Sequence, residues 1–328
     1  KERKSRRRGS TLLLLLKMGN EVSRQVQNLR DRRNRNGCNF PGYDYHVQDR
    51  KNWMSTLASE RLHVNQIVWP GTHNSATEYV GDPIITRPCG RCQRLSIYQQ
   101  LVIGVRVFDI RVQKDRLVCH DILNGYNVDV VINDVKTFLL ETHTEIIILE
   151  ISREFGQQDP SDFDRYLEAE LGEFLIHQDD NVFNKTIAEL LPKRIICIWK
   201  PRNSPELRQG GQLWSSCYLK GDWTNTDLPE TKFESNMQHL SNQRPVTSQI
   251  KQGGEHSDST DKYSKPVVWY TGVEQLNLQI QPFARLFIME CISRGYGDRL
   301  QIFSSDFIEE DFVDACIGLT NARIEGQL

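Results

Sequence analysis

Polar and apolar positions alternate in VRVFDIRV, residues 105–112. A strand is expected there, with Asp109 and Arg111 on one face. EIIILEIS, residues 145–152, is almost continuously apolar, the pattern of a strand buried on both faces. LHVNQIVW, KRIICIW, KPVVWYT and RLQIFSSD are further strand candidates. Helical spacing marks LSIYQQLVIG, closed by Gly104, and NDVKTFLLETH, PSDFDRYLEAELGEFL, IQPFARLFIMECISRG and EEDFVDACIGLT. Strands alternating with helices imply an α/β fold of parallel strands and crossover helices. A closed barrel then competes with an open doubly wound sheet. No GxGxxG follows a strand, so the dinucleotide-binding fingerprint is lacking. Periodicity alone does not separate barrel from open sheet. Residues 203–266 are polar and glycine-dotted and read as long loops with a mobile tip within one domain.

The pattern before residue 43 is different. Residues 1–42 are arginine-rich and read as a disordered basic tail, leaving 43–328 as the folded domain. MGNEVS fits a myristoylation pattern, with Gly19 as acceptor and Ser23 as the hydroxyl, if Met18 is the true start. Residues 1–17 then read as leader. Arg24, Arg30, Arg32, Arg33 and Arg35 would supply the basic second signal that a single acyl chain needs.

The net charge of −2 gives no reason to expect nucleic acid as a partner. No run approaches the roughly 20 apolar residues of a membrane span, and the leucines at 12–16 stop at Lys17. Without a secretory pattern, the eight cysteines are expected as thiols in the cytosol. Cys89 and Cys92 form a CxxC with no second pair, which does not indicate a four-thiolate zinc site. Cys119, Cys197 and Cys291 lie in apolar segments and read as core.

Candidate chemistry gathers at the ends of the expected strands. His73 follows the first, in WPGTHNSAT; Asp109 and Arg111 end the second; His120 follows RLVC. Glu150 and Ser152 share a face, Lys200 and Arg202 follow RIICIW, and Asp306 follows RLQIFSS. In a parallel barrel such ends converge on one mouth. Two histidines and an arginine suit phosphodiester cleavage. One imidazole removes a proton from an attacking hydroxyl, the other protonates the leaving oxygen, and the guanidinium grips the phosphate. A lone loop histidine is usually structural, Asp109 and Arg111 could be a simple ion pair, and Asp306 a helix cap. The set as a whole is harder to dismiss.

PGTHNSAT, GVRVFDIRV, LVCHDIL and EIIILEISREF together resemble the X domain of phosphatidylinositol-specific phospholipase C, with the plant group that carries only this domain the most similar. The resemblance runs from about Tyr43 to Gly326. It implies an irregular TIM-type (β/α) barrel. It also implies cleavage of a phosphoinositide-like lipid to diacylglycerol and a cyclic inositol phosphate. By motif, His73 is the base, His120 the acid, Arg111 the phosphate contact, Asp109 part of the same cluster, and Asp306 the carboxylate orienting His73. Asn74, Glu150, Ser152, Lys200, Arg202 and Trp223 are candidate head-group contacts.

Calcium-dependent relatives bind the ion with strand carboxylates and an asparagine beside the first histidine. Here Arg111 stands where a carboxylate is needed, so no metal cofactor is expected. Metal-independent relatives carry aspartate where this chain has Asn74, and glycine where it has Asp121. The expected partners are a phospholipid substrate and a membrane surface, with the protein cytoplasmic and peripherally attached; oligomeric state is not legible. The alternative is a weakened barrel that binds phospholipid as an adaptor. A metal-dependent glycerophosphodiesterase reading conflicts with the arginine of FDIR.

Overall fold

The computed structural model describes residues 2–154, 156–202, 210–221, 226, 228–242, 250–256 and 273–328. KPVVWYT and Trp223 fall outside them. The strands are β1 (Trp69–Thr72), β2 (Val107–Val112), β3 (Leu117–His120), β4 (Leu123–Asn127), β5 (Ile147–Arg153), β6 (Ile195–Lys200), β7 (Leu219–Gly221), β8 (Ile250–His256) and β9 (Ile302–Ser305). Seven run parallel in the order β7-β8-β9-β1-β2-β5-β6. The antiparallel hairpin β3–β4 joins the C-terminal end of β2 through Val112 and Val118.

The irregular TIM-type barrel implied by the resemblance is not seen to close among the described residues: β6 and β7 do not pair. The open end lies at the edge of β6. Trp214 takes that edge, donating its backbone N–H to Cys197 O (2.8 Å) and accepting from Trp199 N (3.2 Å). Its indole is anchored on Ile176 O (2.7 Å). Among the described residues the sheet is mixed and open.

Helices cover the sheet where the spacing predicts them. Asp129–Glu141 buries Val131, Ile132, Val135, Phe138 and Leu139, one stripe of the 3.6 period. Phe163–Leu171, Ala284–Ser293 and Glu310–Ile324 do likewise. Phe287, Phe303 and Phe312 stack at 5.4 and 4.6 Å, tying two of these helices to β9. Cys119, Cys197 and Cys291 are buried core residues. The first strand begins only at Trp69, because Val64–Gln66 is a 3₁₀ turn whose Gln66 side chain accepts from His63 N (3.1 Å).

Two expectations are corrected. Residues 2–36 form a helix, Glu2–Asn36, where a disordered tail was expected. The helix has a docking face. Leu29 is buried, and Gln25 Oε1 accepts from Glu230 N and Thr231 N (3.1 Å each) at the start of helix Pro229–Asn242. Asn28 Nδ2 donates to Glu230 Oε2 (2.8 Å), Arg32 pairs with Glu290, and its guanidinium lies 4.9 Å from the Phe233 ring centre. Spacings of three and four put these residues on one side, which the arginine content masks. The second correction concerns residues 203–266. Helix Pro229–Asn242 buries Phe233, Met237 and Leu240, and β7 and β8 pair in this stretch.

The N-terminal end of the parallel sheet is held by an ion pair that no solvent reaches. Arg106 and Glu145 have fully buried side chains, with Nη2 and Nε of the arginine 2.6 and 2.9 Å from Glu145 Oε2. The guanidinium also donates to the carbonyls of Leu101, Val105 and Lys51. Glu145 Oε1 accepts from Met54 N (3.1 Å). Removing one partner leaves a buried charge uncompensated. Arg106→Ala should lower unfolding free energy by about 3–5 kcal/mol, measured by denaturant titration. Arg106→Met combined with Glu145→Gln should recover much of that loss.

Candidate active site

The parallel register brings the polar residues to one edge of the sheet. Asp109 is beside Glu150, Arg111 beside Ser152, and Ser152 beside Lys200. Thr72 pairs with Ser305, so His73 and Asp306 leave neighbouring strands together. Gly71 permits this approach: a Cβ there would sit 2.4 Å from Ser304 Oγ.

The turn after β1 explains the small hydroxyl residues around His73. Asn74 has φ +45°, a left-handed conformation that asparagine tolerates. Ser75 Oγ donates to Thr72 O (2.9 Å), and Thr72 Oγ1 to Gln100 Oε1 (2.8 Å). Thr77 Oγ1 donates to Asn74 O (2.7 Å) and accepts from Cys92 N (2.9 Å). Every one of these residues is buried, so the hydroxyls satisfy backbone groups that water cannot reach.

His73 is held from both sides. Its Nδ1 is 3.0 Å from Asp306 Oδ1, and its Nε2 3.8 Å from Asp109 Oδ2. Asp109 accepts two bonds from Arg111, Nε at 2.7 Å and Nη2 at 3.1 Å, and one from Asn74 N at 3.1 Å. Burial alone would raise the Asp109 pKa; the Arg111 charge overrides it and holds the group at about 2. Burial works against the Arg111 charge as well, yet Asp109 raises its pKa above the ordinary arginine value. The carboxylate and guanidinium are therefore both ionised across the physiological range.

His120 ends β3, and its Nδ1 is 2.7 Å from Gly90 O, which fixes the proton on that nitrogen. Cys92 Sγ is 3.9 Å from the same Nδ1 and within 4.8 Å of a His73 ring nitrogen, so it neighbours both imidazoles. Burial lowers the His120 pKa; the Gly90 carbonyl opposes this, and the His73 and Arg111 charges add to the lowering. Glu150 pairs with Lys200 beside the cluster, and burial raises its pKa against that pairing.

The structure thus brings together His73, Asn74, Asp109, Arg111, His120 and Asp306, with Glu150, Ser152 and Lys200 in the adjoining row. Arg202 is two residues past β6 and exposed, with its backbone N–H on Asp159 (3.1 Å), and joins the cluster through none of these contacts. Asp121 is explained by the β3–β4 turn: it has φ +55°, which glycine adopts freely and aspartate tolerates. Sequence reasoning missed Cys92 and Gln93. Gln93 Nε2 donates to His73 O (3.0 Å) and Ser305 O (2.9 Å), and its Oε1 accepts from Ile308 N, clipping the two strand ends together. Only the CxxC marks this segment in the sequence. A cleft of about 500 Å³ lined by Gln66, Gly297 and Arg323, and another of about 640 Å³ lined by Glu230, Met237 and Arg294, contain none of these residues.

Residues 69–201 match the family described as phosphatidylinositol-specific phospholipase C, X domain. The chain is 31% identical over 116 residues to a 1-phosphatidylinositol phosphodiesterase of Listeria monocytogenes, covering 34% of this chain and 36% of that protein. It is 30% identical over 166 residues to a PI-PLC X-box domain-containing protein of Dictyostelium discoideum, covering 45% of this chain and 22% of that one. The alignments therefore span about a third and about a fifth of these relatives' own lengths. Among solved structures, the phosphatidylinositol-specific phospholipase C of Listeria monocytogenes superposes with a TM-score of 0.66 at 19% identity, covering 83% of this chain and 98% of that chain. A Staphylococcus aureus phosphatidylinositol-specific phospholipase C gives 0.62 at 18% identity, with the same two coverages. These bacterial and amoebal relatives do not bear on the likeness to the plant group. Residues 69–201 thus match the X domain of phosphatidylinositol-specific phospholipase C, and bacterial proteins of that description are similar to this chain in sequence over part of its length and in fold over most of it.

Proposed function

We propose that the chain is a phosphoric diester hydrolase that cleaves a phosphoinositide-like lipid by two-histidine acid–base catalysis. The observation that carries this reading is the continuous chain Asp306–His73–Asp109–Arg111, with Cys92 neighbouring both His73 and His120. Asp306 accepts the Nδ1 proton of His73, which leaves Nε2 as the basic atom. Nε2 takes the proton of the inositol 2-hydroxyl as that oxygen attacks phosphorus. The bond from phosphorus to the glycerol oxygen breaks, and His120 Nε2 gives that oxygen its proton. A cyclic inositol phosphate and diacylglycerol result. Arg111 neutralises charge growing on the phosphate oxygens, and Asp109 supports the imidazolium of His73.

A calcium ion does not fit these residues. Its six to eight oxygen ligands would have to include Asp109 and Glu150. Arg111 already occupies both oxygens of Asp109, and Lys200 pairs with Glu150. The guanidinium takes the electrostatic part a cation would play.

A second reading, a phospholipid-binding adaptor on the same scaffold, has one observation in its favour. Asn74 lies beside His73 and Cys92 and brings no negative charge to the imidazoles.

The site's rim suits a membrane. Tyr79, Ile84, Ile85 and Ile122 are exposed large apolar residues on the 79–87 loop and the β3–β4 turn. The loop is built rigidly: Asp82 Oδ1 accepts from Ile84 N and Ile85 N (2.9 Å each), and Gly81 N donates to Asn124 O (3.0 Å). An exposed apolar rim held this firmly is what an interfacial enzyme needs to meet a lipid surface. Among the described residues no helix is long and apolar enough to cross a membrane. The rim itself would give a peripheral attachment. Gly19 as an acylated terminus, exposed on the N-terminal helix, would add a second anchor. Arg32 is already engaged by Glu290 and Arg24 by Glu21, which leaves Arg30 and Arg35 as the exposed basic residues beside them.

His73→Ala and His120→Ala should each cut turnover of phosphatidylinositol by about 10²–10⁴-fold in the presence of chelator. Loss of less than about tenfold in either would remove the two-histidine assignment. The acid role needs His120 protonated, and its pKa is lowered by burial. The alkaline limb of kcat/KM should therefore fall below the pH at which ordinary imidazole titrates, a sign that a pH profile checks directly. Ile84→Asp with Ile85→Asp should lower the ratio of vesicle turnover to turnover of a soluble inositol phosphodiester by at least about tenfold. Expression from Met18 in a myristoylating host should give an acyl mass by intact-mass measurement. Gly19→Ala should lack it.

A further inference from the structure

We propose that His73, Cys92 and Asp306 form a binding site for a soft divalent cation, Zn²⁺ above all, and that occupancy of this site switches the active centre off. The binding claim stands on geometry alone; the switching claim rests on the catalytic reading of His73 given above. One imidazole nitrogen of His73, the Cys92 sulfur and one carboxylate oxygen of Asp306 all lie within 4.8 Å of one another, and all three residues are buried. The His73 Nδ1 to Asp306 Oδ1 separation is 3.0 Å. Bond lengths of about 2.0–2.1 Å to nitrogen and oxygen and 2.3 Å to sulfur put the ligands of a tetrahedral Zn²⁺ roughly 3.3–3.6 Å apart. The set therefore closes on an ion by moving its widest members by about one ångström.

The donor types point to zinc rather than to a hard cation. The thiolate is soft and the imidazole borderline, and Zn²⁺ accepts both alongside a single carboxylate oxygen. Asn74 adds a fourth. Its Nδ2 is 3.6 Å from Cys92 Sγ, and its Oδ1 is buried with no hydrogen-bond partner among the described residues. Half a turn about the Asn74 Cβ–Cγ bond brings that oxygen to the sulfur side, where an ion would satisfy it.

Binding involves no redox change. The Cys92 thiol gives up its proton to solvent as sulfur bonds to the ion, and His73 binds through a neutral nitrogen. Either nitrogen suffices to stop the proposed reaction. Metal on Nε2 occupies the atom that takes the substrate proton. Metal on Nδ1 displaces the proton that Asp306 holds. Cys92 itself needs no part in the chemistry, and the neighbouring Cys89 is not a member of the set.

The test uses the full chain with reduced thiols, and Co²⁺ as a spectroscopic stand-in for Zn²⁺. One equivalent of Co²⁺ should give a thiolate-to-cobalt charge-transfer band that Zn²⁺ removes. Phosphatidylinositol turnover should fall in step with Zn²⁺ occupancy and return on adding chelator. Cys92→Ala should lose the band and weaken Zn²⁺ inhibition, normalised to its own metal-free turnover, by at least about tenfold. Cys89→Ala should keep both. No charge-transfer band in the unmutated chain, or a band and a Zn²⁺ sensitivity that persist in Cys92→Ala, would overturn the site. A Cys92-dependent band with turnover untouched by Zn²⁺ would keep the site and overturn the switch and, with it, the role given to His73.

Discussion

One carboxylate organises the site. Asp109 receives the guanidinium of Arg111 through two bonds, the backbone N–H of Asn74 through a third, and lies 3.8 Å from the far nitrogen of His73. It is buried, so each of these interactions acts in a medium where charge is poorly screened. The contact to Asn74 fixes the turn that delivers His73. The contact to Arg111 keeps the carboxylate ionised and aims the guanidinium along the strand ends. Remove this anion and three things come apart together: the turn, the arginine and the support for a charged imidazole.

The rest of the fold serves to place that anion. The parallel register puts β1, β2 and β9 side by side, and only these neighbours let Asp306 and Asp109 reach the two nitrogens of one ring. At the other end of β2 the arrangement is the reverse: Arg106 is enclosed by Glu145 and carbonyls, and Phe138 lies 4.8 Å from its charge. One strand thus carries a sealed ion pair at its start and a half-exposed one at its end. The first supports the sheet, and the second is the pair proposed to face substrate. The rim of apolar residues beside the exposed end makes physical sense for a reaction whose substrate is a lipid.

Much of this was legible in the sequence, for a definite reason. Alternation in VRVFDIRV and the apolar run in EIIILEIS report burial directly, and polar residues that recur at the ends of several such strands are harder to explain together than one by one. Asn74 and Asp121 were less legible, because a positive φ is a property of the backbone that an Asx residue only hints at. Closure of the sheet was not legible. It turns on which segment takes the edge of β6, and Trp214 does so from a loop. The N-terminal helix was misread because its arginines outweighed Gln25, Leu29 and Arg32, whose docking depends on partners some two hundred residues away. Gln93 was invisible for the same reason, and Cys92 showed only as half of a CxxC: their meaning is set by two strand ends that the local sequence does not name.

The central claim is that this anion-centred pair of imidazoles breaks a phosphodiester. The most direct measurement is phosphorus NMR of the purified chain mixed with phosphatidylinositol vesicles and chelator. The account predicts a growing resonance of a cyclic inositol phosphate as the lipid signal falls. Vesicle binding with the phospholipid signal undiminished would contradict it and would leave the adaptor reading in its place.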